Sequence, residues 1–138
     1  MKDESKPELP PTDIRKRSFQ YALRALKLHR YLAGQKDGSA WLLAKQYVRA
    51  ATSIGATLQE ALSGESRADF IHKYGVAQKE ARESLYWLEL MAEGGLVPRS
   101  RLDPLIQETN ELVAIITAII VKSKRSRSQL PKEKKGPQ

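Results

Sequence analysis

Apolar residues return at intervals of three and four along most of this chain, in four runs separated by glycine or proline. In the first run Thr12 can act as N-cap, and Ile14, Phe19, Ala22, Ala25, Leu26 and Leu32 recur up to Ala33, where Gly34 is a natural stop. Lys16, Arg17, Gln20, Arg24, Lys27 and Arg30 gather on the opposite side. The pattern therefore predicts an amphipathic helix with a basic outer face. A turn at Gln35-Lys36-Asp37-Gly38 leads to Ser39, which can cap a second helix from Ala40 to about Ser63. Its apolar positions include Leu43, Ala44, Tyr47, Val48, Ala51, Ile54 and Leu58, and Gly64 ends it.

The third run opens on Ser66-Arg67-Ala68-Asp69, a capping box with Asp in place of Glu or Gln, and continues to Glu93. Phe70, Tyr74, Ala77, Ala81, Ser84, Leu85 and Leu88 form its stripe, and Gly94-Gly95 closes it. Tyr86 and Trp87 fall outside the stripe, so this helix is expected to touch something on a second side. The fourth run follows Pro98, with Ser100 as cap, Pro104 in the first turn and an end near Lys124. Its segment from Leu112 to Val121 is apolar around the whole circumference. Such β-branched density suits a buried strand. The preceding spacing of Leu102, Leu105, Ile106, Thr109 and Leu112 argues instead for helix.

Two packing expectations follow from these patterns. An interior glycine costs about 1 kcal/mol against alanine, so Gly55, among Ala50, Ala51, Ser53 and Ala56, marks close approach of a neighbouring helix. A helix apolar all round must be covered on all sides, whereas a lone four-helix bundle leaves each helix an exposed face. The fourth helix therefore predicts self-association, with Trp87, Ile115, Ile116, Ile119 and Ile120 as expected interface residues.

A length of 138 residues is one domain's worth. The absence of cysteine removes disulfides and thiolate metal sites and suits a reducing cytoplasm. Met1 to Pro7 has no apolar run of the kind a signal peptide carries. The longest apolar run is about half the ~20 residues that a spanning helix needs, so a soluble, cytoplasmic protein is expected. Charge changes the picture more. The net charge is +8, but from Lys122 onward seven Lys or Arg face Glu133 alone, a net of +6 that leaves +2 for residues 1–121. Basic tails commonly meet polyanions, and they also serve simply as solubilising ends.

Candidate chemistry is thin. His29 lies beside the apolar arc of the first helix, where a packed residue is the plain reading, and His72 lies opposite the stripe of the third. No His-x-x-x-His spacing supports a transition-metal site. Glu80 and Glu83 could share a side of the third helix as di-iron carboxylates do, but no Glu-x-x-His motif accompanies them, and Lys79 and Arg82 make ion pairing the better account. Ser53 and Ser84 have no base at evident spacing, and the glycines make no phosphate loop. No enzyme, cofactor or metal is expected.

The segments Arg49-Ala50-Ala51-Thr52-Ser53-Ile54-Gly55-Ala56, Ser66-Arg67-Ala68-Asp69-Phe70-Ile71-His72-Lys73 and Lys79-Glu80-Ala81-Arg82-Glu83-Ser84-Leu85-Tyr86-Trp87-Leu88 resemble a known family. It is the family of bacterial four-helix bundle proteins named after reading frames in 23S rRNA intervening sequences. The likeness spans about residues 14–123. Thr57 stands where that family usually has Asn, and Gln59 where it often has Glu. The resemblance implies an up-down-up-down bundle assembling into a ring, usually a homopentamer. At the level of fold it extends to the accessory variability protein of diversity-generating retroelements, a basic pentamer that works with a reverse transcriptase and nucleic acid. By that analogy a reverse transcriptase is one kind of protein partner.

The sequence thus predicts an all-α protein with an N-terminal tail over 1–11, a four-helix bundle over 12–123 and a basic tail over 124–138, both tails disordered. The expected function is non-enzymatic binding of RNA or DNA by a homo-oligomer, as an adaptor to a partner protein. Arg17, Arg24, Lys27, Arg30, Lys122, Lys124, Arg125 and Arg127 are the expected contacts to nucleic acid. The alternative is a structural or protein-interaction module with no nucleic-acid role.

Overall fold

The computed structural model describes residues 10–63 and 66–128. They form four helices: α1 (Pro10–Ala33), α2 (Gly38–Ala61), α3 (Arg67–Glu93) and α4 (Arg99–Ser128), with no strand among the described residues. Each helix packs against two neighbours in the cyclic order α1, α2, α3, α4 and back to α1. Cross-helix pairs run in opposite directions along the α2–α3 seam, where Arg49 meets Glu83 and Glu60 meets Lys73, and α1 meets α4 through Arg17 with Glu108 and Glu111 and Tyr21 with Thr109. The protein is an up-down-up-down four-helix bundle.

Local chemistry explains most helix ends, with some departures from expectation. α1 begins at Pro10, before Thr12, because prolines in a first turn give up amide hydrogens that have no intrahelical partner. α2 is capped by Asp37, not Ser39: its carboxylate accepts from Ser39 N at 2.8 Å and Ala40 N at 3.4 Å. A negative cap also complements the positive end of the helix. Ser66 caps α3 as expected, accepting from Asp69 N at 3.0 Å. Pro104 sits past the first turn of α4, since the helix starts at Arg99. Its ring leaves the Ser100 carbonyl without an i+4 donor at an exposed position that water can serve. α4 runs on to Ser128, so residues 124–128, expected in the tail, are helical. Gly64, the segment 1–9 and the tail from 129 onward lie outside the described residues.

The core corrects the reading of α1. Ile14, Ala25 and Leu32 are buried as expected, but so are Ser18 and Tyr21, while Phe19 is 63% and Leu26 37% exposed. The inward face is rotated because its polar atoms find partners. Tyr47 donates to the Tyr21 hydroxyl at 3.0 Å, Tyr21 pairs with Thr109 Oγ1 at 2.6 Å, and Thr109 donates to the Leu105 carbonyl at 2.7 Å. Burial pushes the Tyr21 and Tyr47 hydroxyls well above the usual phenol range. Gly55 faces Ser18 so closely that a Cβ there would lie 3.2 Å from the serine hydroxyl, as close helix approach requires.

α4 is long and apolar enough, by length and composition, to cross a membrane. In the bundle its inward apolar positions are taken up by neighbours: Leu102, Leu105, Ile106, Leu112, Ile116, Ile119 and Ile120 are buried. Ile116, Ile119 and Ile120 pack into the subunit core, whereas Ala114, Ala118 and Val121 on the outer side of the same segment are exposed. Ile115 and Trp87 are half-buried. Large apolar side chains are exposed on every helix, among them Trp41 and Leu42 on α2, Tyr86 on α3 and Val121 on α4, and Phe19, Leu23 and Leu26 share one outer stripe of α1.

Candidate functional site

The seam between α1 and α4 divides into two parts. Toward the start of α1, the Arg17 guanidinium grips Glu108 with two hydrogen bonds, from Nε at 3.0 Å and Nη2 at 2.6 Å, and Nη2 also reaches Glu111 at 2.7 Å. These hydrogen bonds raise the Arg17 pKa further above its usual value. Hydrogen bonds from Gln107 and then Arg17 hold the Glu111 carboxyl below the usual carboxylate range. Arg17, expected to contact nucleic acid, is thus neutralised within the subunit.

Toward the end of α1 the seam opens into a groove of about 360 Å³. Arg24 and Lys27 reach it from α1, and Arg101 reaches it from the first turns of α4. Its apolar lining includes Leu28 and Leu102, and the Arg101 guanidinium lies 5.3 Å from the centroid of the Tyr31 ring. Among the described residues no carboxylate lines the groove, and none of its three cations forms an ion pair. The antiparallel pairing of α1 with α4 is what gathers these cations. Arg101 and Tyr31 were missed in the sequence; the signal for them is that up-down connection, which sets the start of the fourth helix beside the end of the first.

The other expected cations do not join this groove. Arg30 is exposed in the last turn of α1, where a positive charge complements the helix end. Lys122 lines a second depression of about 490 Å³ with Arg67, Phe70 and Ile119, and Lys124 and Arg125 are exposed beyond it. Arg127 lies on α4, its side chain outside the described residues. With 1.5 Å of rise per residue, Lys122 lies about 32 Å along α4 from Arg101. The basic positions therefore form two regions at opposite ends of the bundle, not one surface.

The remaining polar candidates are engaged within the subunit. Arg49 on α2 ion-pairs with Glu83 and lies 3.9 Å from Glu80, so the partner of the two glutamates is on another helix and not Lys79 or Arg82. Trp87 Nε1 donates to Glu83 at 2.9 Å, and one Glu80 oxygen is buried without a hydrogen bond. Ser53 and Ser84 donate to the carbonyls of Arg49 and Glu80 in their own helices, at 2.7 and 2.9 Å. His29 is half-buried, His72 is exposed, and no group of three or more metal-ligating side chains occurs among the described residues.

Residues 11–118 match the model of the 23S rRNA-intervening sequence protein family. The chain belongs to that family. A solved structure with the same fold is a protein of unknown function from the S23 ribosomal protein family of Bacteroides thetaiotaomicron, 32% identical, with a TM-score of 0.76. The alignment covers 81% of this chain and 98% of that one. A comparison with curated proteins finds no match. Family membership fits the ion-paired α2–α3 seam, because Arg49, Glu80, Glu83 and Trp87 all lie in the segments that carry the resemblance.

Proposed function

We propose that this protein is a non-enzymatic, cytoplasmic nucleic-acid-binding module that holds the sugar–phosphate backbone and serves as an adaptor to a partner protein. The observation that carries the reading is the convergence of Arg24, Lys27 and Arg101 on one groove without a carboxylate in its lining. Cations gathered this way gain by meeting phosphates, and each phosphate neutralised adds to the salt dependence of binding. Lys122, Lys124 and Arg125 offer a second basic region at the far end of α4, and Arg30 and Arg127 add to the net positive charge of the chain. The groove lining has no Asn or Gln, and its Arg and Lys side chains suit phosphate oxygens, so contact mainly with the backbone is expected.

Assembly of several copies is part of the proposal, a pentameric ring being the form the family resemblance implies. Exposure of Phe19, Leu23 and Leu26 on one stripe of α1 supports it, since large apolar side chains on one face gain by being covered. A ring repeats each basic groove and strengthens the field that draws in a polyanion. Light scattering after size exclusion tests this: a monomer mass overturns the assembly.

Binding is tested by titrating RNA and DNA oligonucleotides across a salt series, with the full chain beside a version ending at Ser128 that keeps α4 whole. Affinity that falls steeply with salt supports the reading, and a shallower slope on truncation adds the tail to the contact. No binding at low salt, with calorimetric heat on adding an acidic peptide, would transfer the groove to a protein partner.

A further inference from the structure

We infer that the groove between α1 and α4 selects single-stranded over duplex nucleic acid, by taking one unstacked base against Tyr31 while Arg24, Lys27 and Arg101 hold the flanking phosphates. This rests on the nucleic-acid reading and names the class of ligand.

The composition of the groove carries the inference. A surface meant only for the phosphates of a duplex needs cations on a polar, open face, because paired bases are inaccessible to it. Here the three cations surround an apolar lining that includes Leu28, Val97 and Leu102. Tyr31 stands in the same lining and is 42% exposed, so part of its ring remains open to solvent. Arg101 lies over that ring at 5.3 Å and adds a second flat surface. Bases of single strands stack on aromatic rings and on guanidinium planes, and every base offers a face to do so. The volume of about 360 Å³ is near the lower end of small-ligand pockets, the scale of one nucleotide unit rather than a longer stretch. Apolar lining and ring gain only from a ligand that brings apolar faces with its charge. A single strand has both at every nucleotide, whereas an acidic peptide brings flat faces only where it carries aromatic side chains.

The test is fluorescence anisotropy of the full chain with a fluorescein-labelled oligouridylate of about twenty nucleotides, its deoxy counterpart, and a duplex of the same length. Tyr31→Ala, Tyr31→Phe and Arg101→Gln are compared with the unaltered protein, with thermal unfolding as the check on folding. Single strands are expected to bind at least tenfold more tightly than the duplex. Tyr31→Ala should lower single-strand affinity about tenfold without changing the salt slope, Tyr31→Phe should restore it, and duplex binding should not respond to either. Arg101→Gln should weaken binding and reduce the salt slope by about 0.7. Equal affinity for single strand and duplex, unmoved by Tyr31→Ala but still steeply salt-dependent, overturns the inference and leaves the backbone-binding reading standing. Absence of binding to all three probes at low salt overturns both.

Discussion

The two halves of the α1–α4 seam are built from the same materials and have opposite fates. In one half Arg17 is clamped by Glu108 and Glu111; in the other Arg24 and Lys27 meet Arg101 and no carboxylate. All three α1 cations lie on the face a helical wheel marks as solvated and basic. What separates them is the residue that the antiparallel partner brings opposite: glutamates late in the seam of α4, an arginine at its start. A charge count on one helix therefore says little about which cations are available, and the facing helix decides it.

The contrast can be broken most sharply by reversing the open half. Arg24→Glu, Lys27→Glu and Arg101→Glu together should reduce oligonucleotide affinity about a hundredfold, or about 2.8 kcal/mol, and flatten the log affinity–log salt slope by about 2. Their unfolding midpoint should hardly move. Equal loss of stability would show that these side chains hold the bundle as Arg17 does. The closed half should behave in the opposite way. Glu108→Ala leaves Arg17 with Glu111 alone and should cost about 1–2 kcal/mol in urea unfolding. The figure is discounted because the Arg17 side chain keeps 28% exposure. Binding should be unchanged.

A smaller effect probes the distant basic end. Lys124→Gln should weaken binding about threefold if the end of α4 touches the same strand, and not at all if the groove acts alone. The smallest effect comes from pH. Glu111 ionises more readily in the folded protein than at its ordinary value of 4.5, so its contribution is present above pH 4.5 and is lost as pH falls through the folded value. The urea midpoint should therefore decline below pH 4.5, whereas the arginines of the open half keep their charge throughout that range. The tyrosines give the mirror case: burial raises the pKa of Tyr21, Tyr47 and Tyr74 above 10.0, so stability is held below pH 10.0 and declines as alkali forces ionisation. Denaturant midpoints across pH, with tyrosinate absorbance at the alkaline end, measure both.

Much of the fold was legible because four runs of helical spacing are punctuated by glycine and proline, because Ser66 has a cap role that local chemistry dictates, and because an interior glycine such as Gly55 points to a close neighbouring helix. The phase of α1 was not. Phe19 and Leu26 look like core residues and Tyr21 and Ser18 look like surface ones, until Tyr47 and Thr109 on other helices supply hydrogen-bond partners. Hydropathy along one helix cannot see those partners. The partner of Glu80 and Glu83 was hidden for the same reason, since Arg49 is far away in sequence and adjacent only once α2 and α3 pack. Of the candidate site, Arg24 and Lys27 were legible as helix-face cations. Arg101 and Tyr31 were not, because their relevance lies in tertiary adjacency.

The chain of hydroxyls from Tyr47 through Tyr21 to Thr109 has a consequence for which bundle forms at all. Four amphipathic helices joined by short turns can wind round one another in either sense and still bury similar apolar stripes. Reversing the sense exchanges the flanks that α2 and α4 offer to α1, so the pairing of Tyr21 with Tyr47 and Thr109 is specific to the winding seen here. An enclosed hydroxyl lacking a partner costs about 1–3 kcal/mol, so the relay weighs against the wrong winding more than it adds to the right one. The tyrosines thereby bear on which winding is favoured, and the groove belongs to the bundle in which their hydroxyls meet.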